Sequence, residues 1–318
     1  MFLDYLKITS VAVSQILLLG AIGYFLVKKN ILGEDGLNAL SRLVIEITLP
    51  ILIFCQLVKD FKFNLYPNWW SFPLLSLVIN LFGLITGLLF IGFIRGEQHR
   101  IQFLSLTTFQ NSGYLPLVLV AALLPKEKMD VMFIYIFLFL LGFNLVIWSG
   151  GVYMLTFTRA KRFEMGSLFS PPVIATIFTL VLIYFGLDKF VPEGLMKPLR
   201  MAGECTLPLA MFVIGGSLAQ IKLRHIDKKV MFYMSLAKLI ILPLLGLWLV
   251  VQLKLPELLG LLIIMQLAMP SATSLTLITR HYKKEDLLIS QGVFLGHIFS
   301  IISIPLFLSL YFALIMIK

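Results

Sequence analysis

The chain has 318 residues, of which 59% are hydrophobic and only 13% charged, with a mean hydropathy of +0.98. Soluble domains carry about twice that share of charge, so a water-soluble globule, a disordered chain and a separate extramembrane catalytic or nucleic-acid module are excluded. The net charge of +10 needs a topological explanation before an anionic partner is invoked.

A bilayer crossing takes about 20 apolar residues, roughly 30 with its loop. Ten apolar runs follow one another: residues 8–27, 37–58, 70–94, 101–124, 131–157, 172–187, 195–221, 230–251, 258–278 and 287–315. The first has Asp4 and Lys7 before it and Lys28-Lys29 after it, with no small-residue cleavage site, so it reads as a retained helix and not a signal peptide. The loops after spans 1, 3, 5, 7 and 9 hold 14 Lys and Arg, against 9 on the opposite side with both tails counted. That bias predicts cytosolic odd-numbered loops and both termini outside. Most of the positive charge is thereby an orientation signal, and no nucleic-acid partner is needed. Cys55 and Cys205 lie in apolar runs without a second Cys or His at metal spacing. They read as buried packing thiols, and no metal or cofactor is expected.

Span 2 carries Arg42-Leu-Val-Ile-Glu46-Ile-Thr48-Leu-Pro50, and 158 residues later span 7 carries Arg200-Met-Ala-Gly-Glu204-Cys-Thr206-Leu-Pro208. Between 42 and 54 the two copies share 6 identities in 13, where chance gives about one. The repeat unit thus holds five crossings, and an odd number inverts the second copy, an arrangement typical of secondary transporters. The predicted architecture is an all-α integral membrane protein of two inverted five-helix repeats, residues 1–158 and 171–318, joined by a short cytosolic link at 159–170.

Of the 16 acidic residues only Glu46 and Glu204 fall inside spans, about 13 Å along their helices. Each follows an Arg by one turn, Arg42 and Arg200. Lys238 in span 8 is the third intramembrane charge, at the repeat position of Asn80. Such groups either face a cavity, an ion path or one another, or form ion pairs whose arginines snorkel to the surface. Spans 4 and 9 each place a proline and a polar cluster at mid-depth. Span 4 reads Asn111-Ser112-Gly113-Tyr114-Leu-Pro116, and span 9 reads Gln266-Leu-Ala-Met-Pro270-Ser271-Ala-Thr273-Ser274. Proline removes a helical hydrogen bond, and freed backbone groups survive in lipid only beside protein or a cavity. The pair therefore marks a midplane site, with half-helix N-termini facing an anion. His297, in span 10, reads either as a packed imidazole or as a proton relay. Asn144 and Gln291 are weaker candidates.

These motifs resemble the auxin efflux carrier superfamily, which takes in the plant PIN carriers, the PIN-like carriers and many bacterial organic-anion transporters. The resemblance rests on Thr48-Leu-Pro50, Asn111 to Pro116, Leu207-Pro-Leu-Ala210 with Gly215-Gly216, Lys238 before Pro243, Pro270 to Thr273, and Pro305. It implies broken helices 4 and 9 crossing at their prolines. A scaffold of helices 1, 2, 6 and 7 would form a homodimer, and helices 3, 4, 5, 8, 9 and 10 would form a transport domain. It also implies a small carboxylate substrate met by Asn111. In the second half Thr273 and Ser274 stand where the family often has asparagine. The expected activity is export of an organic anion across the cell membrane by an elevator-type motion. Proton- or sodium-coupled carboxylate transport and an anion channel are the alternatives. An intramembrane enzyme would need an acidic pair, a Ser/His dyad or a metal cluster that these spans lack.

Overall fold

The computed structural model describes residues 2–156, 169–221, 223, 225–281 and 287–316. Arg159, Lys161, Arg162, Lys222, Arg224, Lys283, Lys284, Lys318 and most of the 159–170 link lie outside the described residues. The helices in order are α1 (Phe2–Lys28), α2 (Glu34–Asp60), α3 (Ser71–Phe93), α4 (Glu97–Thr108), α5 (Tyr114–Leu123), α6 (Lys126–Leu155), α7 (Pro171–Tyr184), α8 (Glu193–Ala219), α9 (Lys228–Gln252), α10 (Glu257–Ala268), α11 (Ser274–His281) and α12 (Leu287–Met316). Among the described residues seven helices are long and apolar enough to cross a membrane: α1, α2, α3, α6, α8, α9 and α12. Predicted span 4 is divided into α4 and α5, and span 9 into α10 and α11. The sixth span is the 14-residue α7.

The helices carry large apolar side chains on their outer faces as well as in the core, unlike a soluble bundle. On α3 the exposed residues Leu74, Leu77, Val78, Leu81, Ile85 and Leu88 recur at helical spacing along one face. The buried face carries Ser76, Asn80, Gly83, Thr86 and Gly87. With lipid outside, helix association depends on close packing of small residues and not on hydrophobic burial. Helix α1 packs on α8 and α12, and α2 packs on α7 and α8. At the α1–α8 crossing a Cβ on Gly215 would collide with the Gly20 carbonyl, and one on Gly23 with the Phe212 carbonyl. Thr9 fastens the other end of α1, its hydroxyl lying 2.8 Å from that of Ser309.

Three of the long helices are locally deformed two or three residues ahead of a proline. A π-turn spans Val44–Thr48 ahead of Pro50, and another spans Ala237–Ile241 ahead of Pro243. In α8 regular helix lapses at Cys205, ahead of Pro208. Each proline ring clashes with the carbonyl four residues back, and a wider turn relieves that clash. Pro305 is accommodated inside α12 without a break. Cys55 is buried as expected, but Cys205 is exposed at the lapse in α8 and does not pack as a core thiol.

The glycine contacts give a paired prediction. Gly215→Ala should lower the melting temperature of the purified protein by several degrees, because overpacking costs about 1–3 kcal/mol. Gly20→Ala should leave it unchanged, since nothing lies within 4 Å of a Cβ there. Differential scanning fluorimetry of the two variants checks this, and equal melting temperatures would refute the packing argument.

Candidate functional site

The two interrupted helices meet inside the protein. Helix α4 ends at Thr108, and Phe109 leaves it in extended conformation, with φ −99° and ψ 116°. Helix α10 ends at Ala268, and Met269 is also extended, with φ −69° and ψ 143°. Pro270 dictates the second break, because its ring disfavours helical conformation for the residue before it. The two extended segments run antiparallel and pair at Gln110 and Ser271. The Asn111 amide donates to the Pro270 carbonyl at 2.8 Å, and the Ala272 amide donates to the Phe109 carbonyl at 3.0 Å. Each broken helix thus satisfies backbone groups that the other has freed, which lipid could not do.

Side chains reinforce the crossing. The Ser271 hydroxyl donates to the Leu106 carbonyl at 2.7 Å, and Gln266 Nε2 donates to the Ser112 carbonyl at 3.1 Å. Lys238 is 1% exposed and donates from Nζ to the Thr107 carbonyl at 2.8 Å. A cation there complements the negative end of α4. His297 lies 2.8 Å from the Val293 carbonyl through Nδ1 and 3.4 Å from Asn111 Nδ2 through Nε2. Donation from Nδ1–H to the carbonyl leaves Nε2 as the acceptor for the Asn111 amide. His297 is therefore the group that orients Asn111.

A cavity of about 190 Å³ opens beside this crossing. Gln110, Asn111, Ser112, Gly113 and Tyr114 line it from one broken helix, and Thr273, Ser274, Thr276 and Leu277 from the other. Leu140, Phe143, Asn144 and Trp148 of α6 add an apolar and amide wall. Helices α2 and α8 face them with Leu37, Asn38, Ser41, Ile45, Ile214, Ser217 and Gln220. The inner end, at Gln110 to Ser112, is buried, while Asn38, Ser41 and Gln220 are at least partly exposed. Among the described lining residues none carries a charge. Positive potential in the cavity comes instead from the N-termini of α5 and α11, whose first residues line it. Helix α5 has Gly113 as N-cap and no side-chain cap, which leaves N–H groups of its first turn open.

Of the residues singled out from sequence, Asn111, Ser112, Gly113, Tyr114, Thr273, Ser274 and Asn144 line the cavity. Ser271, Gln266 and Pro270 instead bind the crossing together. Pro116 is buried in the first turn of α5, where a missing N–H costs nothing. Gln291 is buried in α12 outside the lining. The acidic residues require a correction. Arg42 and Glu46 do pair at 3.0 Å, but their side chains are 75% and 47% exposed. Glu204 is exposed, and Arg200 reaches Glu193 at 3.6 Å, not Glu204. Both carboxylates lie on the outer face of their helices, away from the cavity. Asn80, at the repeat position of Lys238, donates its amide to the Ser76 carbonyl of its own helix at 2.7 Å. The pairs Asn38/Ser41 and Ser217/Gln220 were missed. Their i, i+3 spacing, at the N-terminal end of α2 and the C-terminal end of α8, is a signal that could have revealed a shared polar face.

The chain is thus a helical membrane protein with two broken helices that cross beside an uncharged, largely apolar cavity. The membrane transport protein family matches residues 8–167 and 156–308. The chain belongs to that family, within the auxin efflux carrier superfamily. It is 25% identical over 209 residues to an uncharacterized transporter of Methanocaldococcus jannaschii, covering 64% of this chain and 67% of that protein. It is 20% identical to Protein PIN-LIKES 1 of Arabidopsis thaliana over 309 residues, covering 78% of this chain and 66% of the relative. To Protein PIN-LIKES 7 of the same plant it is 22% identical, with 79% and 82% covered. The chain thus spans about two thirds of the length of the first two relatives.

Ser271→Ala removes the donor to the Leu106 carbonyl at the centre of the crossing. The variant should lose about 1 kcal/mol of stability, read as a lower melting temperature. An unchanged melting temperature would show that this hydrogen bond does not hold the crossing.

Proposed function

We propose that this protein is a secondary transporter that exports a small carboxylate anion, bound where α4 and α5 cross α10 and α11. The observation that carries this reading is the convergence of Asn111 and two half-helix N-termini on one uncharged cavity. A carboxylate accepts hydrogen bonds only. It suits a lining of amides, hydroxyls and open helical N–H groups, which supply partial positive charge without a counter-ion. Asn111 is the principal ligand, pre-oriented by His297. Phe143, Trp148 and Ile214 cover the organic body of the anion.

The helices divide, in this reading, into two inverted five-helix repeats of ten crossings in all. Helices α1, α2, α7 and α8 are the scaffold and the dimerisation side, and the remaining helices are the moving body. The exposed rim of the cavity, at Asn38, Ser41 and Gln220, belongs to helix ends that the charge bias assigns to the cytosol. The cavity is then the inward-facing state, and an elevator-type shift of the crossing helices carries the site to the other face. With the cell interior negative, export of a monovalent anion gains about 2.3 kcal/mol per 100 mV, so membrane potential alone is a sufficient drive. Coupling through Glu46 or Glu204 has no geometric support, because both lie outside the cavity.

Two outcomes test the reading. In proteoliposomes carrying a radiolabelled monocarboxylate such as indole-3-acetate, Asn111→Ala should cut saturable flux at least tenfold, while Glu46→Gln and Glu204→Gln should keep wild-type flux from pH 5 to 8. Wild-type flux from Asn111→Ala would remove the assigned ligand, and loss of flux in either Glu variant would restore carboxylate coupling. In cells, Ser41→Cys should react with a membrane-impermeant maleimide from the cytosolic side alone, in a background with Cys55 and Cys205 replaced by serine. Labelling from outside would reverse the orientation.

A further inference from the structure

Gln110 occupies the middle of the crossing. Its backbone pairs with Ser271, it lines the cavity, and it is 0% exposed. Neither Nε2 nor Oε1 of its side chain has a hydrogen-bond partner among the described residues. Exchanging the two amide atoms changes nothing, because both are unpaired. The neighbours differ: Asn111 Nδ2 meets His297, the Ser271 hydroxyl meets the Leu106 carbonyl, and Gln266 Nε2 meets the Ser112 carbonyl. A buried primary amide left without partners is costly, and one beside a cavity points to a group that enters the cavity.

The chemistry of that group follows from the two unpaired ends. A carboxylate offers acceptors alone, so it can take an N–H of Gln110 but leaves the amide carbonyl unmet. The carbonyl needs a donor. No acidic side chain is among the described lining residues, so an ammonium group would enter without a counter-charge. A neutral hydroxyl or N–H meets the requirement.

We infer that Gln110 is a specificity-determining residue, whose amide pairs with a neutral hydroxyl or N–H borne on the carbon skeleton of the carboxylate. The site would then favour donor-bearing carboxylates over otherwise identical acids. This rests on the carboxylate reading above and adds to it a discrimination that Asn111 and the helix N-termini do not supply.

The matched probes are 3-phenyllactate and 3-phenylpropionate, which differ by one hydroxyl, with binding to the purified full chain measured by calorimetry. The wild type should bind 3-phenyllactate about tenfold more tightly, the scale set by one buried hydrogen bond. Gln110→Leu should reduce that ratio to about one while holding 3-phenylpropionate within about threefold of wild type. Replacing an unpaired buried amide by an apolar side chain of similar size should also raise the melting temperature of the ligand-free protein. Gln110→Met provides the same comparison if the leucine variant misfolds. Equal wild-type affinities for the two acids, a preference that survives in both variants, or a lowered ligand-free melting temperature in both would overturn the inference and leave the carboxylate site standing. Binding of neither acid by the wild type would overturn the carboxylate reading and the inference with it.

Discussion

The structure depends on one interaction, the reciprocal pairing of two broken helices. A helix interrupted in a membrane frees several N–H and C=O groups, each costing several kcal/mol if left in hydrocarbon. A single interrupted helix would have to hydrate them or fold differently. Here the Asn111 amide meets the Pro270 carbonyl and the Ala272 amide meets the Phe109 carbonyl, so neither break is stable without the other. The pairing has a further consequence. It aims two helix N-termini into the same volume, and the cavity acquires its electrostatic character from backbone geometry before any side chain is considered.

That origin explains why the cavity needs no charged residue. For the proposed carboxylate, a fixed arginine or lysine in the lining would form a charge-assisted pair and slow its release. Partial charges from two short helices, an oriented amide and several hydroxyls give a shallower well. The buried lysine of the region, Lys238, donates to the Thr107 carbonyl in the last turn of α4, beside the crossing. It complements the negative end of that helix while the positive end of α5 faces the cavity, so the charged group stabilises the crossing and the lining stays neutral.

Much of this was legible in the sequence, for physical reasons particular to each part. Gly113 and Pro270 announced the breaks because proline and glycine change backbone energetics wherever they stand. That α5 and α11 border one cavity is in keeping with polar clusters that lipid would not tolerate. Glu46 and Glu204 show the opposite case. The shared Arg-x-x-x-Glu-x-Thr-Leu-Pro fixed their depth along the helix but not their azimuth. The turn was redirected by Pro50, whose ring clashes with the Glu46 carbonyl and widens the helix into a π-turn at that residue. A 3.6-residue wheel drawn through such a turn misplaces the azimuth of Glu46, while Glu204 stands at the last position before the lapse at Cys205 and is exposed there. Asn38, Ser41, Ser217 and Gln220 were missed because each is ordinary near a helix end, and only the packing of α2 and α8 opposite the crossing makes them a wall.

Gln110 marks where sequence reasoning and structure differ most in kind. Read along span 4 it is one polar residue in a run from Thr107 to Ser112, with nothing to distinguish it from its neighbours. In the structure three of these neighbours are engaged, while the Thr108 hydroxyl is buried without a partner. Thr107 supplies a carbonyl to Lys238, Asn111 is held by His297, and the Ser112 carbonyl is held by Gln266. Gln110 alone among these has a buried amide engaged at neither end. Burial without a partner can be diagnosed only after every partner has been placed. The residue that most sharply restricts the chemistry of a ligand is therefore the one that a sequence pattern has least means to single out.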